Sequence, residues 1–154
     1  MGHDYRPSRY VTKKAPNSIN ITDRSQLEQM DSEDRLFLSV VTIHEIEKGI
    51  ALLESKGATA KASGLRIWLS GLVSTYEDKI LGFDVTAAAL SGQLEAKAIA
   101  AGHQPGMADA IIAGIAKARD LLVVTRNIKH FLPFGVGVIS PDEAAASWSL
   151  GKKS

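Results

Sequence analysis

The 154-residue sequence contains no cysteine, few aromatic residues and no long hydrophobic run. The absence of cysteine excludes disulfide bonds and thiolate metal sites, and it is typical of proteins from a reducing compartment. Because there are four Phe, three Tyr and two Trp, alanine and the aliphatic residues must supply most of the core. No apolar segment approaches the roughly 20 residues of a membrane span, and no signal-peptide pattern is present. These features predict a cytoplasmic protein without membrane contact.

Positive and negative charges are also nearly balanced, since the formal net charge is +1. A protein of this charge has no overall field that would attract nucleic acid. Residues 1–24 are nevertheless basic, with five Lys and Arg against two Asp. Lys13, Lys14 and Arg24 in this segment could contact the phosphates of an RNA. The alternative is that the segment forms a solvated arm.

Apolar runs of strand length alternate with helical patterns from residue 35 onward, whereas residues 1–20 contain no such run. The patterns predict four strands, at 35–41, 79–84, 121–125 and 135–139. They predict helices at 42–57, 61–78, 85–102 and 107–118, and a further helix capped by Ser140. This alternation is typical of a parallel sheet covered by helices on both faces. We therefore predict one three-layer α/β domain over residues 1–154, with little structure in 1–24 and a C-terminal tail at 142–154.

Two acids and a polar triplet are predicted to meet at one edge of this sheet. Helix N-termini lie beside the C-terminal ends of parallel strands, where ligands of open α/β folds bind. Glu45 is predicted in the first turn of the helix after strand 35–41, and Asp109 in the first turn of the helix before strand 121–125. The triplet Thr125-Arg126-Asn127 begins as that strand ends.

Each of these features also has a purely structural interpretation. Thr42 and Glu45 match a capping box, which would make Glu45 a helix-start residue. Asp109 could interact with the helix dipole alone, a contribution of about 0.3–1 kcal/mol at exposed sites. The apolar neighbours of Asp109 predict burial, however, and a buried carboxylate is costly unless a cation lies beside it. The triplet could be a simple exit turn, and Gly49 is interpreted as a neutral core glycine.

Carboxylates at a sheet edge suit Mg²⁺ or Mn²⁺, which often bind through a few acids and keep several waters. Such an ion can activate water for attack on a phosphodiester and stabilise the charge that develops. His44 and His103 lack the spacing of a zinc site, and we do not expect them to bind metal. The predicted chemistry is therefore metal-assisted hydrolysis.

Three segments resemble the PIN-domain ribonucleases, in particular the VapC-like and FitB-like toxins of bacterial toxin–antitoxin pairs. They are "LSVVTIHEIEKGIALL" (38–53), "AGHQPGMADAIIAGIAKARDLLVVTRNIKHF" (101–131) and "VGVISP" (136–141), and the match spans roughly residues 35 to 141. The resemblance implies a PIN-like fold, divalent-metal-dependent hydrolysis of RNA, an antitoxin partner and a homodimer. It also implies that Glu45 and Asp109 help to bind the metal, and that 125–127 is the "TRN" motif.

The sequence departs from this family at two places. The family's first strand ends in a metal-binding Asp followed by Thr and Asn, whereas Asp4 is followed by Tyr5 and Arg6 and preceded by no apolar strand. If residues 1–12 provide no central strand, the sheet lacks its middle. At His130, relatives often carry an acid. The His130 imidazole could bind the metal through water, contact a phosphate, or be a plain surface residue.

The sequence therefore predicts a Mg²⁺- or Mn²⁺-dependent endoribonuclease of toxin type. Glu45 and Asp109 would hold the ion, joined by Asp4 if it is placed like the family's first ligand. The alternative is a catalytically impaired PIN-like binding module that dimerises or binds an antitoxin. A nucleotide-binding domain has less support, because neither G-x-G-x-x-G nor a P-loop follows a predicted strand.

Overall fold

A computed structural model describes residues 9–13 and 36–143 of the chain. Five strands are present in these ranges: β1 (Arg9–Lys13), β2 (Leu36–Ser39), β3 (Ile80–Leu81), β4 (Leu121–Thr125) and β5 (Val138–Ile139). The helices in the same ranges are α1 (Val40–Ser55), α2 (Thr59–Tyr76), α3 (Val85–Ala100), α4 (Met107–Ala118) and α5 (Ile128–Phe131), and a further helical turn begins at residue 141. No helix in the described part of the chain is long and apolar enough to cross a membrane.

The five strands form one sheet in the order β3-β2-β1-β4-β5. β2 pairs with β3 and β4 pairs with β5 in parallel, while β1 is antiparallel to both of its neighbours. The strands β2 to β5 therefore share one direction, as the alternating pattern predicted, and β1 runs against them in the centre. β1 lies within residues 1–24, where the sequence predicts little structure and leaves open whether residues 1–12 provide a central strand. A strand paired on both sides is held by backbone hydrogen bonds to two neighbours. Such a strand can form without a run of apolar residues, so the hydrophobic pattern does not predict it.

The two faces of the sheet are covered by different helices. Val123 packs into a cluster built largely from α3 and α4, whereas its neighbour Val124 packs with Leu36, Leu38 and Tyr76 at the end of α2. Successive residues of a strand point to opposite faces, so these clusters lie on the two sides of the sheet. This arrangement confirms the predicted α/β fold with helices on both faces.

Helix α1 begins at Val40, two residues before its predicted start, because Ser39 is its N-cap. The Ser39 Oγ accepts a hydrogen bond from the Thr42 N–H at 3.3 Å. The capping box at Thr42 and Glu45 is therefore wrong, and Glu45 lies in the second turn of α1 instead of the first.

Helix α4 and strand β4 have the bounds that the sequence predicts, and they carry much of the core. The α4 residues Ala110, Ile112, Ala113, Ile115 and Ala116 are almost completely buried. Asp120 turns the chain between the two elements with a φ of 53°. The predicted cap at Ser140 is also confirmed, since its Oγ accepts from the Glu143 N–H at 3.1 Å. β3 and β5 contain two residues each, fewer than predicted.

Helix α4 lies so close to α3 that Gly114 has no room for a side chain. A Cβ at this position would lie 2.7 Å from the Ala87 carbonyl oxygen and 2.8 Å from the Ser91 nitrogen. These are backbone atoms, which cannot move without distorting α3. The depth of α4 in the core, and with it the position of Asp109, is therefore fixed by backbone contact.

Candidate metal centre

Asp109 lies in the first turn of α4 and is 7% exposed, which confirms the burial that its apolar neighbours predicted. The carboxylate is directed back over the helix start, because its Oδ2 lies 3.7 Å from the place of a Cβ on Gly106, the N-cap. The positive end of the helix dipole favours an anion at this position. The side chain is therefore a buried acid at the positive end of the helix dipole.

His130 faces this carboxylate from the short helix that follows β4. The Nδ1 atom of His130 lies 3.7 Å from the Asp109 Oδ2, and the His130 side chain is 48% exposed. This contact places the start of α4 beside the C-terminal end of β4, as the topology argument predicted. Both residues are site candidates from the sequence, but their direct contact was not predicted, because it depends on residues 128–131 folding as a helix.

Thr125 builds the turn that leads from β4 to His130. It is completely buried, and its Oγ1 accepts a hydrogen bond from the Asn127 N–H at 3.0 Å. Arg126 and Asn127 are exposed. The exit-turn interpretation therefore describes Thr125 well, while the two exposed residues remain available at the sheet edge.

Glu45 lies on α1, which contacts α4. Val41 packs against the cluster formed largely by α3 and α4, and Glu45 lies one helical turn further along the same face of α1. The Glu45 side chain is half-buried. This placement directs Glu45 toward the helix that carries Asp109, and its role as a second ligand remains a prediction.

Two buried hydroxyls at the end of β2 were not assigned by the sequence analysis. Ser39 and Thr42 are 3% and 4% exposed, and their hydroxyl oxygens lie 3.5 Å apart. The signal was a Ser followed three residues later by Thr at a strand-to-helix junction. These residues fix the start of α1 and thereby the position of Glu45.

The remaining predicted site residues belong to the N-terminal segment. Asp4, Lys14 and Arg24 lie outside the described residues. Lys13 ends β1, where its backbone is opposite Leu121. Their functional roles stay predictions.

The donors that the structure places together fit a hard divalent cation. Across residues 36–143 and β1, no group of three or more His, Asp or Glu is arranged to hold a metal. Mg²⁺ keeps several waters and uses one or two carboxylates, so a small protein donor set is sufficient. The buried carboxylate of Asp109 supplies one such ligand, and the half-buried Glu45 is the predicted second.

Several known proteins are similar in sequence to this chain. No protein-family model matches it. It is 37% identical over 112 residues to the plasmid stability protein StbB of Pseudomonas syringae pv. tomato, covering 72% of this chain and 78% of the relative. It is 30% identical over 126 residues to the VapC ribonuclease Y4jK of Sinorhizobium fredii, covering 80% and 88%. The chain belongs to the VapC-like PIN-domain toxins.

Solved structures agree with this VapC-like assignment. The crystal structure of FitAcB from Neisseria gonorrhoeae matches with a TM-score of 0.64 and 30% identity, over 78% of this chain and 87% of that one. VapBC-5 from Mycobacterium tuberculosis, a member of the VapBC family of toxin-antitoxin systems, matches with a TM-score of 0.57 and 25% identity, over 70% and 81%. The PIN-like fold predicted from the sequence is therefore confirmed.

Proposed function

We propose that this VapC-like protein is a divalent-metal-dependent endoribonuclease that hydrolyses RNA phosphodiester bonds. The observation that carries the proposal is the Asp109 carboxylate, buried at the start of α4 and 3.7 Å from His130 at the end of β4. A family relative, Y4jK, is named as a VapC ribonuclease, which supports RNA as the substrate.

Asp109 and Glu45 would hold Mg²⁺ or Mn²⁺, with Asp4 as a third ligand. When bound, the ion supplies a stronger water nucleophile at neutral pH and stabilises the charge on the phosphoryl oxygens. Asp109 is suited to this role because the rigid packing of α4 holds its carboxylate in place. Burial also protects the carboxylate from competing solvent.

The exposed residues at the same edge would position the RNA. Arg126 would contact a phosphate or a neighbouring carboxylate, and Asn127 would orient a ligand or a water. Thr125 would act indirectly, by shaping the turn that places both of them. Lys13, Lys14 and Arg24 would contact the RNA backbone. Their removal should therefore weaken RNA binding and reduce its dependence on salt concentration.

Cleavage of a mixed RNA by the purified protein tests the proposal directly. With Mn²⁺ or Mg²⁺ we expect cleavage that EDTA abolishes and that Asp109→Asn lowers by roughly 100-fold or more, since even indirect partners of a metal contribute 10- to 100-fold. Cleavage that persists at the wild-type rate in Asp109→Asn or in EDTA would contradict the proposal.

Asp84→Asn is a matched control for this experiment. Asp84 is also an acid at a helix start, where its Oδ1 accepts from the Ala87 N–H at 2.9 Å and caps α3. Asparagine caps helices as well as aspartate does, so the fold should be preserved. We expect Asp84→Asn to cleave RNA like the wild type.

A second candidate function is a catalytically impaired module that dimerises or binds an antitoxin. It is favoured by the altered N-terminus, where Asp4 is followed by Tyr5 and Arg6 instead of Thr and Asn. A protein that melts cooperatively and shows strong near-ultraviolet circular dichroism, yet cleaves no RNA with either metal, would support this function over the first.

Both candidate functions include an antitoxin partner and a homodimer. The antitoxin is supported by the likeness to VapBC-5, from a family of toxin-antitoxin systems. Light scattering on the purified protein would test the homodimer, which predicts twice the chain mass of 16.5 kDa.

A further inference from the structure

We propose that His130 is a direct metal ligand beside Asp109, and that its nitrogen makes the site select a transition-metal dication over Mg²⁺. The proposal rests on the proposed function, because it requires a divalent-cation site at Asp109. It adds a ligand that the carboxylate set lacks and specifies the class of metal.

The distance between the two side chains permits one ion to reach both. The His130 Nδ1 and the Asp109 Oδ2 are 3.7 Å apart. Divalent ions lie about 2.0–2.2 Å from imidazole nitrogen or carboxylate oxygen, so two such bonds span up to about 4 Å. An ion between these atoms would therefore contact both donors with little movement of either residue.

The fold holds His130 in place from both sides. Thr125, at the end of β4, and Phe131, directly after His130, are completely buried. Phe131 packs edge-on against Phe134, with ring centroids 6.2 Å apart. The His130 N–H donates to the Asn127 carbonyl oxygen at 3.0 Å. Its backbone is thus anchored, while its half-exposed ring remains open to an incoming ion.

The nitrogen donor determines which ion is preferred. Carboxylates and water suit Mg²⁺, whereas imidazole suits the later first-row transition metals, whose affinity for a given site rises from Mn²⁺ toward Ni²⁺ and Cu²⁺. Adding an imidazole to the carboxylates of the site therefore shifts its preference away from Mg²⁺. An ion pair between His130 and Asp109 without a ligand role would add nothing to this discrimination.

Calorimetric titration with Co²⁺ and with Mg²⁺ separates these two cases. The titrations use the full chain at about pH 8, where free imidazole is neutral, and compare wild type with His130→Ala and His130→Asp. We expect His130→Ala to weaken Co²⁺ binding by about 10- to 100-fold and to affect Mg²⁺ far less. The visible absorption of bound Co²⁺ should change in the same variant, and His130→Asp should improve Mg²⁺ binding.

His103→Ala is the matched control, since His103 is an exposed histidine in the loop after α3. It should leave both affinities unchanged. Equal effects of His130→Ala on Co²⁺ and Mg²⁺, or no effect on either, would overturn the proposal. Thermal melts of each variant would show that the fold is intact, which the exposure of His130 predicts.

Asp109→Asn distinguishes failure of this proposal from failure of the proposed function. If a folded wild-type protein binds neither ion, or if Asp109→Asn leaves binding unchanged, the metal site itself is absent and both proposals fall. If Asp109→Asn abolishes binding while His130→Ala leaves the preference for Co²⁺ unchanged, the His130 proposal alone falls.

Discussion

The two helix pairs of this protein are packed in opposite ways. Helices α1 and α2 meet through large side chains, with Ile46, Ile50 and Leu69 buried between them. Helices α3 and α4 meet through small residues, and at Gly114 the α4 backbone touches that of α3. Lost volume is therefore costly in the first pair. In the second pair, added volume is what the packing cannot absorb.

This difference bears on the candidate site, because each pair carries one of the two acids. Asp109 is on α4, which cannot shift toward α3 without backbone collision. Glu45 is on α1, which rests on side chains that can change rotamer. We infer that Asp109 is the more rigidly placed of the two.

The largest expected effect is the loss of volume between α1 and α2. Ile50 is completely buried, and Ile50→Ala should lower the free energy of unfolding by about 2–5 kcal/mol. Leu52→Ala is the control on the same helix, since Leu52 is 52% exposed and its truncation should cost far less. Chemical denaturation measures both, and similar losses in the two variants would contradict the packing described for this pair.

Adding a single methyl group should have opposite effects at Gly114, which is buried against α3, and at Gly64, which is exposed on α2. Gly114→Ala should destabilise the protein by about 1–3 kcal/mol, because the new Cβ meets the α3 backbone. Gly64→Ala in α2 meets no atom within 4 Å, and it should stabilise the protein by about 0.5–1 kcal/mol. Thermal melts should show a lower melting temperature for Gly114→Ala and a higher one for Gly64→Ala. A stabilising Gly114→Ala would contradict the close contact between α3 and α4.

The smallest effect is expected at the surface of the first pair. The Arg66 guanidinium contacts Glu54 at 2.6 Å and Glu47 at 3.4 Å, and all three side chains are about half-exposed. The hydrogen bond and charge of Glu54, and then those of Glu47, raise the pKa of Arg66 above its ordinary value. Arg66→Met should lower the melting temperature less than Gly114→Ala does. High salt should remove the difference between Arg66→Met and the wild type, because it screens the ion pairs. A large, salt-independent loss would mean that Arg66 supports the pair by packing.

The sequence predicts best the segments whose local pattern decides their structure. The α4 and β4 bounds follow from one apolar stretch flanked by Gly106 and interrupted at Asp120. The same local reasoning placed the start of α1 wrongly, because the apolar run "LFLSVV" continues from the strand into the helix without a break. There the Ser39 hydroxyl decides the boundary, by capping a helix that the apolar pattern placed two residues later.

Features that depend on partners distant in sequence were not predictable from local pattern. The strand β1, "RYVTK", carries basic residues at both ends and owes its place to pairing with β2 and β4. Its direction is a property of the assembled sheet. The contact between Asp109 and His130 is similar, since it exists only when the start of α4 and the end of β4 come together.

Mn²⁺ binding by wild type, Glu45→Gln, Asp109→Asn and the double variant tests most directly whether the two acids hold one ion. If they do, each single variant weakens binding, and the loss in the double variant differs from the sum of the two single losses, because ligands of one ion are coupled. If Glu45→Gln binds Mn²⁺ like the wild type, Glu45 does not hold the ion and the proposed metal centre is wrong.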